Sequence, residues 1–300
     1  MKTFFKKHKK ILVLIISVCL VLTISPACLS RMTAVSPGSN PITITKTTQE
    51  KTPQTELMVM SLNLAHGRSD GRNQILQKNK TIRKNLITIA DFLKEKNPAI
   101  VCFQEADKPS SWSGNFNHVE NIAENAGYRD VAQGIHVKGL GLEYGTGIIS
   151  KYEMNEAKSY TFNPSSPTFS KGFTCAQIRF ENKKVDIVSV HLDFAKATVR
   201  KKQIEEMAVF LKARQNSIIV VGDFNSQWQD KNSAIKQFAK AMDLKVYRED
   251  ADDLQSFSGL DKRLDWILIS QDLEFNDYTV HPETLSDHLA VSTKVSFTKK

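Results

Sequence analysis

Six short polar clusters in this 300-residue chain each close, or directly follow, an apolar run: Ser61-Leu62-Asn63, Gln104-Glu105, His191-Leu192-Asp193, Gly222-Asp223-Phe224-Asn225, Leu264-Asp265-Trp266 and Ser286-Asp287-His288. Carboxylates and carboxamides that end buried strands converge on one rim of a sheet. There their oxygens suit a hard cation such as Mg²⁺, with Mn²⁺ or Ca²⁺ as alternatives. Zinc is disfavoured, because the chain has no close Cys/His ligand set. His191 and His288 stand beside carboxylates and titrate near neutral pH, as general acid–base work on a phosphate ester requires.

These clusters need strands to carry them. Residues 57–64, 100–104, 147–150, 174–180, 185–192, 217–221, 264–269 and 290–297 read as strands, with a hairpin joining 174–180 to 185–192 through the polar turn 181–184. Helical spacing runs through Ile82, Leu86, Ile89 and Leu93, and Asn97-Pro98 stops that helix. A second helix ends at Gly127, a third contains Ile204, Met207, Ala208 and Leu211, and a fourth lies near residues 234–242. Many strands interleaved with few helices predict two mixed sheets packed together with helices outside.

With the six clusters in this order, the chain from about residue 57 to 297 resembles the endonuclease/exonuclease/phosphatase superfamily. These are metal-dependent phosphohydrolases that include deoxyribonuclease I, exonuclease III, neutral sphingomyelinases and inositol polyphosphate 5-phosphatases. The resemblance implies an α/β four-layer sandwich, two packed mixed β-sheets flanked by helices, with the site at one rim. It implies a metal at Glu105 and Asp287 with Asn63 beside it, and His191 giving a proton or hydrogen bond to the phosphoryl or leaving oxygen. Asp223 would polarise the attacking water or take up metal, and Asn225 would bind a phosphate oxygen. His288 would act as base or stabilise the transition state, oriented by Asp265. The implied reaction is in-line attack of an activated water, with no covalent intermediate. How Asp223 and His288 divide the base role stays open.

Other residues carry weaker signals. His66 and Arg68, in Ala65-His66-Gly67-Arg68, read either as contacts to substrate phosphate or as plain loop residues. His118 follows Asn117, a candidate helix cap; His136 falls in a loop region before a central strand; His281 precedes Pro282 in a surface loop. Trp112 and Phe116 read as core, with an exposed aromatic element for lipid or base contact as the alternative. Cys102 and Cys175 read as buried thiols rather than a disulfide.

For the substrate, a nuclease is the first reading, supported by His191 and by basic stretches at Lys78, Lys80, Arg83 and Lys84 and at Arg200, Lys201 and Lys202. The alternative is a sphingomyelinase-like or other phospholipid or phosphoinositide-headgroup phosphodiesterase or phosphatase. Phosphomonoester action ranks third, with Lys262 and Arg263 as partial support, and an exported non-catalytic binding module ranks last. The partner is therefore a nucleic acid or a phospholipid-type phosphate ester, and the protein is expected to be a monomer.

The formal charge of +9 overstates any affinity for polyanions, because five lysines lie in the first ten residues and removing them leaves +4. Residues 1–27 have the basic start, the apolar run and the small-residue site Ser25-Pro26-Ala27 of a signal peptide. The run from 11 to 24 is shorter than the ~20 residues a spanning helix needs, which favours cleavage over anchoring. Export to a secreted, periplasmic or membrane-tethered location is expected, with Cys28 a candidate lipidation site and the N-terminal segment a possible membrane attachment. Residues 28–55 are rich in Ser, Thr, Pro, Gln and Lys and read as a flexible linker; 56–300 form one catalytic domain.

Overall fold

The computed structural model describes residues 26–46, 56–257 and 259–299. The predicted signal peptide lies outside the described residues except for Pro26 and Ala27, which begin helix α1 (Pro26–Met32). Strands β1 (Gly38–Pro41), β2 (Ile44–Lys46) and β3 (Leu57–Asn63) follow, then helix α2 (Asn79–Lys96), β4 (Ile100–Asp107) and α3 (His118–Ala126). Next come β5 (Asp130–Gly139), β6 (Leu142–Ser150), β7 (Asn155–Thr161), β8 (Gly172–Phe180), β9 (Lys183–His191), α4 (Ala197–Lys212) and β10 (Ser217–Asp223). Helix α5 (Ala234–Met242) and strands β11 (Leu244–Val246), β12 (Asp265–Ser270), β13 (Leu273–Phe275), β14 (Thr279–Val280) and β15 (Val291–Phe297) complete the chain.

The strands form two sheets, one ordered β1-β7-β8-β9-β10-β12-β11 and the other β13-β15-β3-β4-β6-β5-β2, with β14 beside β15. Alternation along each strand divides the apolar residues between two faces. On β10, Ile219 and Val221 meet Ile100, Cys102 and Ile148 of the other sheet, whereas Ile218 and Val220 meet Ile204, Met207, Leu211 and Phe238 of α4 and α5. On the second sheet, Met60, Leu62, Val101 and Phe103 face Leu86, Ile89 and Leu93 of α2 and Val119 and Ile122 of α3. The layers therefore run helix, sheet, sheet, helix, as expected. Asn117 accepts the Glu120 amide at 3.2 Å to start α3, and Gly127 ends it at φ 76°. Cys102 and Cys175 are buried unbridged thiols, and burial pushes the Cys175 thiol up to about 12.

The structure corrects three expectations. The stretch read as a linker pairs with both sheets over its described part: β1 lies antiparallel to β7, β2 antiparallel to β5, and Ala34 bridges Val137. Backbone hydrogen bonding needs no apolar periodicity, so an edge strand of Gly-Ser-Asn-Pro is invisible to pattern reading. A chain begun at Leu57 would uncover the edges of β5 and β7, and light scattering should show concentration-dependent association that the longer chain lacks. His136 lies in β5 rather than a loop, buried between the hydroxyls of Thr161 (3.1 Å) and Thr146 (2.9 Å). His281 is likewise buried, at 2.8 Å from the Ser292 hydroxyl.

Candidate active site

Parallel pairing brings the site together. β3 and β4 run parallel with Asn63 opposite Gln104, β9 and β10 run parallel with His191 opposite Asp223, and antiparallel β12 sets Asp265 opposite the same Asp223. The two pairs end at one rim, with Gln104 tying the sheets together through the Ser189 hydroxyl at 3.2 Å. Gly222, just before Asp223, has φ 146°, and a Cβ there would stand 2.1 Å from the Val190 carbonyl oxygen. Only glycine lets β10 approach β9 so closely at this rim.

Asp223 is the hub. Its Oδ2 accepts Nδ2–H of Asn63 and of Asn225, each at 3.2 Å, and its Oδ1 accepts the Asn225 amide at 2.8 Å. His191 Nε2 stands 3.4 Å away and His288 Nε2 3.9 Å away. Behind His288, Nδ1 meets Asp265 Oδ2 at 2.7 Å, and the Ser256 hydroxyl donates to that same oxygen at 2.7 Å. Burial, together with Asp265, raises Asp223 well above the usual carboxylate range despite His288 and Lys171. Burial opposes charge on His288, but the carboxylates of Asp265 and Asp223 outweigh it and push the imidazole up. His288 is thus an imidazolium at neutral pH, beside a carboxyl poised to exchange a proton.

On the other side of the rim, a bulge between Phe103 and Ala106 turns Glu105 out of the ladder at φ 48°. Burial alone would raise its carboxyl, but His66, Lys171 and Arg68 hold it well below the usual range. Arg68 reaches Asp287 Oδ2 with Nη2 and lies 3.6 Å from Glu105 Oε2 with Nη1. His66 is not an open loop residue: Nδ1 meets Asp107 Oδ1 at 2.8 Å, Nε2 lies 3.4 Å from Glu105 Oε2, and burial is outweighed by Asp107 and Glu105, which raise its pKa. The ring packs against Trp112 and Tyr144. Trp112 donates Nε1–H to Asp107 Oδ2 at 3.0 Å, and Phe116 lies under the Arg83 guanidinium, so these aromatics serve packing.

Sequence reasoning missed Lys171 and Asp107. Lys171 is buried, with Nζ 3.2 Å from His191 Nε2, and it faces Glu105, Asp223 and Asp193. Burial and then the Lys171 ammonium drive His191 well below its usual pKa. His191 is therefore neutral and can donate a hydrogen bond; burial lowers the Lys171 pKa in turn, against the carboxylates of Glu105, Asp223 and Asp193. The lysine's position directly before Gly172 and a strand was the available signal; for Asp107 it was the Glu105-Ala106-Asp107 continuation of β4.

No three His, Cys, Asp and Glu groups among the described residues close around one ion position. Glu105 and Asp287 nevertheless face one guanidinium, and this oxygen pair fits a hard cation such as Mg²⁺, which takes one or two carboxylates and completes its shell with water and phosphate oxygens. The Asn63 amide is engaged at both ends, its Oδ1 accepting the Ala65 amide at 3.0 Å.

The family model described as Endonuclease/Exonuclease/phosphatase family matches residues 60–288. Solved structures share the fold. A family protein from Leptotrichia buccalis C-1013-b is 18% identical at TM-score 0.64, covering 80% of this chain and 100% of that one. The mannosyl-6-phosphatase of Bacteroides thetaiotaomicron VPI-5482 is 16% identical at TM-score 0.59, covering 80% and 100%. A beta toxin from Staphylococcus aureus is 19% identical at TM-score 0.55, covering 81% and 100%. No match is found among curated proteins.

Proposed function

The chain belongs to the endonuclease/exonuclease/phosphatase family, and from that membership we propose that it is an exported, Mg²⁺-dependent phosphodiesterase whose substrate is nucleic acid. The observation that carries the substrate is the placement of charge. In each βαβ crossover the helix starts where the preceding strand ends, so α2 and α4 both begin at the catalytic rim. Lys78, Lys80, Arg83 and Lys84 are exposed at the start of α2, and Lys196, Lys201 and Lys202 at the start of α4. Basic groups on both sides of the site suit a polyanionic strand laid across it.

Glu105 and Asp287 would hold the cation, which when bound would supply charge neutralisation for the phosphoryl and leaving oxygens. Asp223 takes the proton of the attacking water, because its raised pKa makes it a better base than an ordinary carboxylate. The His288 imidazolium, fixed by Asp265, stabilises the charge that develops on the phosphoryl group. Asn63 and Asn225 hold the Asp223 carboxylate in place, and neutral His191 donates a hydrogen bond beside Lys171. Activity should therefore rise with pH as Asp223 ionises and fall again as His288 loses its proton on the alkaline side of an ordinary histidine. A flat profile across that range would contradict both roles.

A phospholipid-headgroup diester is the second reading, favoured by apolar side chains on rim loops. Phe194 follows His191 and is 64% exposed, Leu260 lies in the loop that pairs with His288 and is 63% exposed, and Leu76 lies next to the Arg68 loop at 81%. Residues 28–300 incubated with Mg²⁺ and plasmid DNA, sphingomyelin vesicles or bis-p-nitrophenyl phosphate separate the two, with Glu105→Gln as the blank. DNA cleavage abolished by chelator and by Glu105→Gln supports the nuclease; vesicle turnover alone transfers the assignment to the lipid; silence on all three refutes both diesterase readings and revives the binding module.

A further inference from the structure

The pair of carboxylates assigned to the cation is bridged by a side chain of the same protein. Arg68 spans Glu105 Oε2 and Asp287 Oδ2, two oxygens carried by elements 182 residues apart in sequence. A divalent ion held by both carboxylates would have to stand between them, where the guanidinium now lies, and the two cations cannot share that place. We propose that Arg68 is a displaceable counter-ion: it holds Glu105 and Asp287 together in the metal-free protein and yields them to the cation.

The surrounding chain is built for motion of this side chain alone. The Arg68 amide donates to Ala65 O at 3.0 Å, and its carbonyl accepts from Gly71 N at 3.1 Å and Gln77 Nε2 at 2.8 Å. Its neighbour Gly67 has its carbonyl bonded by Asn85 Nδ2 at 2.9 Å and sits at φ 76°, where a Cβ would meet Ile82 at 2.8 Å. Ala65 and His66 both hold left-handed conformations, φ 46° and 54°, so the loop stores strain to aim position 68 at the carboxylates. The guanidinium side chain is 17% exposed, which leaves it a way out toward solvent. The geometry thus couples two events: without the cation the two carboxylates share a fixed internal charge instead of repelling each other, and with it the guanidinium is released toward solvent.

The inference rests on the assignment of Glu105 and Asp287 to a divalent ion, and Mn²⁺ binding followed by electron paramagnetic resonance of the free ion tests the two separately. Arg68→Gln should bind Mn²⁺ about tenfold more tightly than the wild type, because both the competitor and its charge are gone. Arg68→Lys keeps the charge but not the fork that spans two carboxylates, so it should also bind more tightly, by about threefold. In chelator Arg68→Gln should melt below the wild type, and excess Mg²⁺ should close the gap. Wild-type affinity in Arg68→Gln overturns the displacement; wild-type affinity in Arg68→Lys beside tighter binding in Arg68→Gln supports a displaced charge and removes only the requirement for the fork. If Glu105→Gln binds Mn²⁺ as well as the wild type, the metal assignment falls and the displacement falls with it. If Glu105→Gln weakens binding while Arg68→Gln leaves it unchanged, the metal assignment stands and only the displacement falls.

Discussion

Asp265→Asn should lower kcat by about 10³–10⁴-fold, the scale seen when the carboxylate behind a catalytic imidazole becomes an amide. Asp265 Oδ2 accepts the His288 Nδ1 proton at 2.7 Å and the Ser256 hydroxyl at 2.7 Å. An amide nitrogen in that place would donate to Nδ1 and move the ring proton to the face that meets Asp223. An amide oxygen would keep the ring orientation but remove the charge that holds the imidazolium. Either way His288 loses its raised pKa, so the alkaline limb of the pH–rate profile should move to lower pH along with the fall in kcat. Asp265 does not face the Glu105–Asp287 pair, so Mn²⁺ affinity should be unchanged. Turnover within about threefold of the wild type would remove His288 from the mechanism.

The largest effect on stability is expected far from the rim, at Arg214→Ala. Arg214 Nε and Nη2 each donate to Asp186 at 2.8 Å, and Asn216 Nδ2 adds a third bond at 3.0 Å. The Asp186 side chain is fully buried on the face of β9 that carries Val188 and Val190 and packs against α4, and the bidentate carboxylate raises the Arg214 pKa. Removing the guanidinium leaves a buried carboxylate without its counter-charge, which should cost about 3–5 kcal/mol in chemical denaturation. Replacing both partners with apolar residues, Arg214→Met with Asp186→Leu, should recover most of the loss, since a buried pair is worth little over hydrophobic packing. A loss below about 1 kcal/mol for Arg214→Ala would mean that water reaches Asp186 on opening and that the pair is not truly buried. Because Asp186 sits five residues before His191, at the opposite end of β9, residual folded protein should keep its activity.

The two predictions also divide by what each residue announces in the chain. Asp265 was readable because it opens an apolar strand and is followed by Trp266 within a recurring motif. Arg214 and Asp186 gave no such mark: each is a single charge in a mixed segment, and their pairing joins the turn after α4 to the N-terminal half of β9. The strands β5 and β7 were missed for a related reason. Gln133, Gly134 and His136 interrupt the apolar pattern of β5, yet all three are buried: Gln133 donates to the Ala106 carbonyl, Gly134 to the Thr174 hydroxyl, and His136 lies between Thr146 and Thr161, polar partners supplied by other strands. Burial of a polar residue is decided by what lies opposite, and that is not local information.

The sequence by itself determined the alternating β and α runs, the two packed sheets with outer helices, and most of the catalytic rim, because each of those residues closes a strand whose own pattern is local. It also placed Asn63, Glu105, His191, Asp223, Asn225, Asp265, Asp287 and His288 in a common order. Only the tertiary structure decided that the Pro26–Lys46 stretch pairs with an edge of each sheet, that Lys171 is buried beside His191, that Asp107 fixes His66, and that Arg68 lies across the Glu105 and Asp287 carboxylates. Each of these is a contact between residues far apart in the chain, made in a low-dielectric interior where a single neighbouring charge sets protonation and position, and no periodicity along the chain records which neighbour that will be.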